Sequence, residues 1–458
     1  MPGTSTTHFA TKQWVESGPP ANPNYTPQPG SGGPTSGHRA ARTRRTRRRR
    51  TPWGGKSVAA GRPVGQSERH DDVLTDTRSP CHFALPGWIL SAQHVSSASV
   101  TSSAPVTIFA GPSSWIESDA VAQCHQVAAL DGMIHVAGMP DLHPGKGAPI
   151  GAAMHSRVLY PFLVGSDIGC GIAVFPIKLK RPSPEKLAAR FPDLDRPLDP
   201  GDLDDFGFDE EIPAGYTDSL GTVGRGNHFV ELARVEQAAA YDRLTDGDLV
   251  LIVHSGSRGL GERILRAHTE VHGAGPAADP AAYLRAHDEA VRWGSLNRRL
   301  MAARVAAALG AAPAEPIVDR CHNLAEVRPD GTYLHRKGAA PGDGGEVLVA
   351  GTRGTRSALV ATHAGAEAGW SVAHGAGRKM SRSDALRRGK AKHTVEELRR
   401  TPLGSIVVCG DRQLLFEEAP TAYKRIEQVL GDLVDAGLAT PVAATVPLVT
   451  YKTVGGRR

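Results

Sequence analysis

The stretch VGSDIGCGIAVF, residues 164–175, places a carboxylate and a thiol three residues apart among glycines and follows them with an apolar run. The glycines predict a tight turn, and the run after it has the residue types of a buried strand. Asp167 and Cys170 are therefore predicted to project from a rigid turn beside a strand. Such a turn can supply two metal ligands from one place.

Other segments have the reverse order, a predicted strand followed by a polar, glycine-rich loop. This order occurs in DLVLIVHSGSRG, EVLVAGTRG and SIVVCGDR, and MIHVAGMPDLHPGKG likewise runs from a strand into a loop. Helical spacing occurs in WIESDAVAQCHQVAAL, and helices are predicted near 184–190, 232–243, 280–308 and 420–437. The pattern predicts an α+β (mixed α/β) fold, with residues 104–458 forming a single large domain whose loops carry the polar groups.

Residues 1–103 have a different composition. They hold 13 Lys or Arg and five Asp or Glu, so their charge is about +8, whereas the whole chain carries +6 and the remainder is near −2. Because this head is rich in Pro, Gly, Ser and Arg and poor in large apolar side chains, it is predicted to be a disordered basic extension. Three interpretations remain open: an arm that binds phosphate backbones, a solvated tail, or upstream sequence that is not translated.

Composition also narrows the class of protein. No apolar run approaches the roughly 20 residues of a membrane helix, and the N-terminus lacks the apolar region of a signal peptide, so we expect a cytoplasmic protein without membrane contact. The chain has five cysteines, an odd number without a short pairing pattern. Free thiols are therefore expected, and some of them can be metal ligands.

Four histidines lie in turns or at the ends of apolar runs. They are His228 in GRGNHFVE, His254 in VHSGSRG, His322 in DRCHNLAE and His374 in VAHGAGRKMSR. Imidazole, thiolate and carboxylate ligands together suit zinc, manganese or iron, and a cysteine sulfur can bridge two ions. Each histidine alone is more often structural, but the set predicts a metal centre.

Glycine-rich loops with basic residues predict phosphate binding. HPGKG, HSGSRG, GTRGTRS and HGAGRKMSR combine accessible backbone N–H groups with Lys or Arg. None of them completes the G-x-x-x-x-G-K-[ST] or G-x-G-x-x-G pattern. The common nucleotide-binding folds are therefore disfavoured.

The motifs together resemble a known family. MPDLHPGKGAPIG, VGSDIGCG, GRGNHFVE, HSGSRGLG, HRKGA, HGAGRKMSR and EEAPTAYK occur in the order typical of the RtcB RNA ligases, over roughly residues 106–453. The resemblance implies GTP and two Mn²⁺ as cofactors and an archease-type activating partner. It implies RNA substrates with a 3'-phosphate or 2',3'-cyclic phosphate and a 5'-hydroxyl, in RNA repair or tRNA splicing. The C-terminal segment is most similar to a shorter bacterial branch associated with RNA repair.

The resemblance also assigns roles to individual residues. One manganese would bind Asp167, Cys170 and His228, and the second would bind Cys170, His254 and His322. His374 would be the nucleophile that becomes guanylylated, and Arg258 would contact RNA or nucleotide phosphate. The residues implied in binding the guanine nucleotide are Asn227, Glu231, Asn323, Ala350, Gly351, Thr352, Arg353, Ser357, Gly375, Ala376, Gly377, Tyr423 and Lys452.

Three departures from the family pattern are visible. GTRGTRS stands where GSMGT is usual, so Thr352 replaces a serine and Arg353 a methionine. CHN stands where HHN is frequent, and Cys321 is expected to be a bystander. The chain ends in YKTVGGRR, where the family commonly stops at Lys-Gly, which makes the role of Lys452 less secure.

Two other functions remain to be weighed. A dinuclear metal phosphoesterase would keep the ion site and the opening of cyclic phosphates without nucleotidyl transfer, although the intact HGAGRKMSR argues against it. A non-catalytic RNA-binding protein would depend on the arginine run at 39–50. The ligase interpretation requires His374 together with the metal ligands.

Overall fold

The computed structural model describes residues 103–180, 183–198, 216–238 and 241–455. The predicted basic extension lies outside these residues, apart from its last position. In the described part the mixed α/β prediction is confirmed. The helices are α1 Ser118–Ala128, α2 Pro184–Ala188, α3 Gly259–His272, α4 Pro280–Leu309, α5 Arg382–Lys392, α6 Val395–Arg399, α7 Arg412–Glu417 and α8 Ile426–Asp435.

The strands form two larger sheets and a short pair. They are β1 Val106–Ile108, β2 Met133–His143, β3 Ile150–Ser156, β4 Gly171–Ile177, β5 Phe229–Glu236, β6 Leu249–Ser255, β7 Val318–Cys321, β8 Asn323–Val327, β9 Tyr333–Lys337, β10 Ala339–Pro341, β11 Glu346–Val349, β12 Ser357–Thr362, β13 Ser371–Ala373, β14 Ile406–Cys409 and β15 Ala439–Thr453. One sheet has the order β1-β2-β3-β9-β8. The larger has the order β11-β12-β15-β5-β6-β4-β7, with β14 also paired to β15, and β10 pairs with β13.

The larger sheet explains why distant motifs meet. Strands β5, β6, β4 and β7 are neighbours and antiparallel, so the starts of β5 and β4 lie at the same edge as the ends of β6 and β7. Residue Gly171 at the start of β4 lies opposite both Ser255 and Cys321. The four motifs bearing Cys170, His228, His254 and His322 therefore converge on one edge of the sheet.

Helix α4 packs across the strands that carry these motifs. Asp279 caps it by accepting from the Ala282 N–H, and Gly310 ends it with φ of 78°. Two buried polar side chains of α4 then hold the site loops. Arg298 Nη1 donates to Gly169 O and Ser255 O at 2.9 and 2.8 Å, and Asn297 Nδ2 donates to Thr222 O at 3.0 Å.

The prediction of a helix over 232–243 is wrong. Residues Phe229–Glu236 form strand β5, which pairs with β15 on one side and β6 on the other. Its sequence, FVELARVE, contains good helix formers, but long-range pairing in the sheet buries Val230, Leu232 and Val235 and outweighs local propensity. The helices predicted near 184–190, 280–308 and 420–437 are confirmed, the last beginning later, at Ile426, after a 3₁₀ turn at Pro420–Ala422.

Two further expectations concern cysteines and membrane segments. The cysteines within the described residues are all free: Cys124, Cys170, Cys321 and Cys409. Across the same part of the chain, no helix combines the length and apolar character required to cross a bilayer.

Candidate active site

Asp167, Cys170 and three histidines form a compact cluster at the sheet edge. The Cys170 Sγ lies 3.4 Å from His228 Nε2 and 3.3 Å from His254 Nε2. The His228 Nε2 is also 2.9 Å from Asp167 Oδ2. Two groups of ligand atoms, each within 4.8 Å of one another, share this thiol. They are Asp167–Cys170–His228 and Cys170–His254–His322.

The electrostatics of the cluster suit a cation. Burial and the neighbouring histidines hold the pKa values of His254 and His322 well below their usual range, so both rings are neutral and keep a lone pair. Burial and then the Asp167 carboxylate raise the pKa of the Cys170 thiol well above its ordinary value. Burial also acts to raise the pKa of Asp167, but His228 outweighs it and the pKa is lowered. Without a cation the thiolate form is therefore strongly disfavoured.

The residues present fit a pair of divalent ions. The His228 Nδ1 lies 3.1 Å from Val223 O, which orients the ring and leaves Nε2 facing Cys170 and Asp167. A shared thiol with imidazoles and a carboxylate accepts zinc, iron or manganese. The structure therefore brings together all five predicted ligands in two overlapping sets.

His374 borders this cluster without belonging to either ligand group. Its ring centre is 4.6 Å from that of His322. On its other side, His374 Nδ1 is 2.7 Å from Asp141 Oδ2, at ion-pair distance but not aligned as a hydrogen bond. Asp141 is fully buried, and neither carboxylate oxygen has a hydrogen-bond partner among the described residues. With Nδ1 facing Asp141, Nε2 is the ring nitrogen directed away from this carboxylate.

The backbone around Asp141 is held from two sides. Lys424 Nζ donates to Pro140 O and Leu142 O, at 3.1 and 2.6 Å, and so holds both residues that flank Asp141. Gly377, three residues after His374, lies so close that a side chain there would overlap Asp141. Sequence reasoning missed Asp141, although it is part of the quoted MPDLHPGKG motif.

The glycine-rich segments at 350–357 and 374–377 lie side by side. The Ala350 N–H donates to His374 O at 3.2 Å, and the Ala376 N–H donates to Ala350 O at 2.8 Å. Ser357 Oγ accepts from the Gly351 N–H at 3.0 Å, and Thr352 bonds to Thr355. The predicted nucleotide residues Ala350, Gly351, Thr352, Ser357, Gly375, Ala376 and Gly377 thus lie next to the predicted nucleophile.

Glu231 and Lys452 form a second polar patch beside the cluster. Thr450 Oγ1 donates to Glu231 Oε2 at 2.6 Å, and Lys452 Nζ donates to Gly226 O at 2.8 Å. Burial raises the pKa of Glu231 to about 7, opposed by Thr450 and Lys452. Burial likewise lowers the pKa of Lys452 to about 8. Both groups therefore change charge close to neutral pH.

Tyr423 and Arg353 adjoin a buried carboxylate, Glu418. The Tyr423 hydroxyl donates to Glu418, and the Arg378 guanidinium lies 5.2 Å from the centre of the Tyr423 ring. Arg353 is buried, and its Nη2 donates to Leu415 O at 2.6 Å, whereas Nε and Nη1 have no partner among the described residues. The methionine-to-arginine departure therefore places an additional buried cation near this patch.

Arg258, Asn323 and Asn227 complete the predicted set. Arg258 has φ of 58°, a conformation that is uncommon outside glycine, and its guanidinium packs on Gly224.

Asn323 Nδ2 donates to Asp167 O at 3.2 Å, and its Oδ1 accepts from the Gly338 N–H at 2.7 Å. Asn323 therefore joins two site loops. Asn227 is half-buried and precedes His228. The Cys321 Sγ donates to Asn323 O and belongs to neither ligand group.

We expect Asp141→Asn to slow reaction at His374 by about 10²–10⁴-fold, because a neutral amide cannot stabilise charge on the ring and can favour the wrong tautomer. The binding constant for nucleotide should stay within about twofold, since Asn keeps the size of the Asp141 side chain and the changed atoms face His374. Single-turnover kinetics separate the two quantities. The control is Asp131→Asn, an exposed carboxylate just before the other end of β2. Equal rates in Asp141→Asn and wild type would refute the positioning role.

Comparison with known proteins gives a consistent result. The family model described as tRNA-splicing ligase RtcB matches residues 123–196 and 207–453. An RNA-splicing ligase RtcB2 of Escherichia coli is 43% identical over 364 residues, covering 75% of this chain and 94% of the relative. An RNA-splicing ligase RtcB of Mycobacterium tuberculosis is 30% identical over 438 residues, covering 71% and 99%. A tRNA-splicing ligase RtcB of Pyrobaculum aerophilum is 27% identical, covering 69% and 87%. The family-model match and these relatives, together with the motifs that meet at the site, show that the chain belongs to the RtcB family.

Proposed function

We propose that the protein is a GTP- and manganese-dependent RNA ligase. It joins an RNA 3'-phosphate or 2',3'-cyclic phosphate end to a 5'-hydroxyl end, through a guanylylated His374. The observation that carries the proposal is the position of His374, between the buried Asp141 and the histidine cluster. Simple phosphoester hydrolysis at a dinuclear metal site does not need a histidine that lies against a buried carboxylate. Its placement supports nucleotidyl transfer.

The chain's own residues hold the ions and the nucleotide. Asp167, Cys170 and His228 would bind one ion and Cys170, His254 and His322 the other. Bound divalent ions supply Lewis-acid neutralisation of charge on phosphoryl oxygens. The choice of manganese among the ions that suit these ligands rests on the resemblance to the family.

In the first step, His374 Nε2 attacks the α-phosphorus of GTP. An N–P bond forms, the bond to the β-phosphate oxygen breaks, and pyrophosphate leaves. Asp141 orients the ring and stabilises the positive charge that develops on it. The side-by-side backbone at Ala350 and Ala376 supports the proposal that segments 350–357 and 374–377 hold the nucleotide.

In the following steps, GMP passes from His374 to an RNA 3'-phosphate, which breaks the N–P bond and creates an activated RNA end. The 5'-hydroxyl of the second RNA attacks that end, and GMP leaves as the strand is sealed. A 2',3'-cyclic phosphate is first opened by water to a 3'-phosphate. Arg258, which lies near Asp167 and Cys170, would contact phosphate of RNA or nucleotide.

The test uses the full chain with Mn²⁺ and GTP labelled on the α-phosphorus, with and without an archease-type activator. We expect an acid-labile label on the denatured chain with GTP but not with ATP, and its transfer to RNA that ends in a 3'-phosphate. If cyclic phosphates are opened but no adduct forms in either condition, the phosphoesterase interpretation replaces this proposal. If RNA binds only through residues 39–50 and no chemistry occurs, the binding-protein interpretation replaces it.

GTP affinity should be greatest between about pH 7 and 8. Guanine presents N–H donors that adenine lacks, and an ionised Glu231 can accept from them, while a protonated Lys452 can donate to a guanine or phosphate oxygen. Affinity should therefore fall as pH drops below about 7, where Glu231 gains a proton, and fall again above about 8, where Lys452 loses one. Titration calorimetry across pH 5.5–9 measures this dependence. Glu231→Gln should abolish the fall in affinity at low pH and leave the fall at high pH unchanged. If the fall at low pH kept its size in this variant, Glu231 would be excluded as its source.

A further inference from the structure

Helix α5, Arg382–Lys392, is the most basic element near the site. Its sequence, RSDALRRGKAK, has five basic residues and one acidic residue, Asp384, which pairs with Arg387. All five basic residues are exposed, whereas Ala385 and Gly389 face the protein interior. The outer face of α5 therefore presents a net positive charge to solvent.

The helix begins at the site and leads away from it. The Arg382 Nη2 would lie 3.0 Å from a Cβ placed on Gly226, the residue whose carbonyl accepts from Lys452 and which precedes Asn227 and His228. Eleven residues of helix span about 16 Å. The basic face thus extends from the ligand loop to the outer surface.

Helix stability explains only part of this charge. Lys390 and Lys392 in the last turn complement the helix dipole, and Asp384 in the first turn does the same. Arg382 in the first turn opposes the dipole, and Arg387 and Arg388 lie in the middle, where the dipole has little effect. A partner with negative charge would account for the part of this charge that helix stability does not explain.

The far end of the helix meets a surface cavity of about 560 Å³ between α5, α6 and α7. Its charged lining comprises Lys390, Arg412 and one carboxylate, Glu396, together with His393. Lys390 of α5 therefore borders a concave surface in which the charges of Arg412 and Glu396 offset each other, and which is large enough for a nucleotide.

We propose that the exposed face of α5, with the cavity at its end, binds the phosphate backbone of the RNA strand whose terminus lies at His374. This inference rests on the proposed function and adds a surface to it. Lysines and arginines on an exposed helix contact phosphates without reading bases, so binding here is independent of sequence and strongly dependent on salt. RNA fits this surface because the regularly spaced phosphates of its backbone match the basic side chains of α5, which begin at the site.

The experiment compares two double variants of the full chain, Lys390→Ala/Lys392→Ala and Lys178→Ala/Lys180→Ala. Lys178 and Lys180 are exposed, have the same spacing, and follow the end of β4 remote from Cys170. Both variants remove two positive charges, so effects of net charge cancel. The probe is a labelled 20-nucleotide RNA with a 3'-phosphate, titrated without GTP between 50 and 300 mM salt. Thermal melting checks that each variant is folded.

Loss of two phosphate contacts on single-stranded RNA should reduce the slope of log K against log salt by about 1.4. If the binding curves meet at 1 M salt, the affinity at 0.1 M falls about 25-fold. We expect this loss in Lys390→Ala/Lys392→Ala alone, and to equal extents with poly(U) and poly(A). A slope equal to that of the control, a loss confined to one RNA sequence, or equally effective competition by polyglutamate of matched charge would overturn the proposal. GTP adduct formation by the wild-type chain reports the proposed function separately.

Discussion

A His374→Ala variant should form no covalent guanylyl adduct with Mn²⁺ and GTP, a loss on the order of 10⁴-fold or more, because alanine offers no nucleophile. His374 lies outside both ligand groups, so the variant should still bind two ions per chain. The measurement is label retained on the denatured protein, with metal content determined on the same sample.

The matched control for this variant is His363→Ala. His363 is exposed and bonds to Thr440, outside the cluster. It should form adduct at the wild-type rate. An adduct that persists in His374→Ala would assign the nucleophile to another residue and remove the main support for the proposed mechanism.

A Cys170→Ala variant should lose both metal ions, and with them adduct formation by about 10³-fold or more, because one thiol belongs to both ligand groups. A His254→Ala variant should instead weaken mainly one of the two sites, since His254 belongs to one group only. Metal analysis by mass spectrometry gives the stoichiometry. Cobalt substitution supplies an independent readout, the thiolate charge-transfer band, which should vanish with Cys170.

Cys321→Ala tests whether the neighbouring thiol takes part. The Cys321 Sγ donates to Asn323 O and is not within either ligand group, so this variant should retain two ions and the cobalt band. If Cys170→Ala retained two ions per chain, the bridging assignment would be wrong. If Cys321→Ala lost one, the expectation that Cys321 is a bystander would be wrong.

Local chemistry made much of the site predictable. The turn at 167–170 depends on glycines that adopt a positive φ, such as Gly165 and Gly169, and those glycines are visible in the sequence. The order of short motifs was enough to predict the ligand residues and to identify the family. These features are encoded within a few neighbouring residues, so a pattern can detect them.

The error at 232–243 has the opposite origin. Helix and strand are both compatible with FVELARVE when it is considered alone. Pairing with β6 and with β15, which is much more distant in sequence, selects the strand. Burial of Val230, Leu232 and Val235 between sheet neighbours stabilises that choice. Local propensities are small, so contacts distant in sequence decide such segments.

The sequence by itself determined the residue types, the tight turns and the family to which the chain belongs. Only the tertiary structure decided that Asp141 faces His374, that Arg298 of α4 holds the loops of Cys170 and His254, and that Lys424 holds the backbone beside Asp141. Each of these contacts joins residues far apart in the chain at distances near 3 Å. Electrostatic and hydrogen-bond energies depend steeply on such distances and on burial, and the packing of sheets and helices sets both.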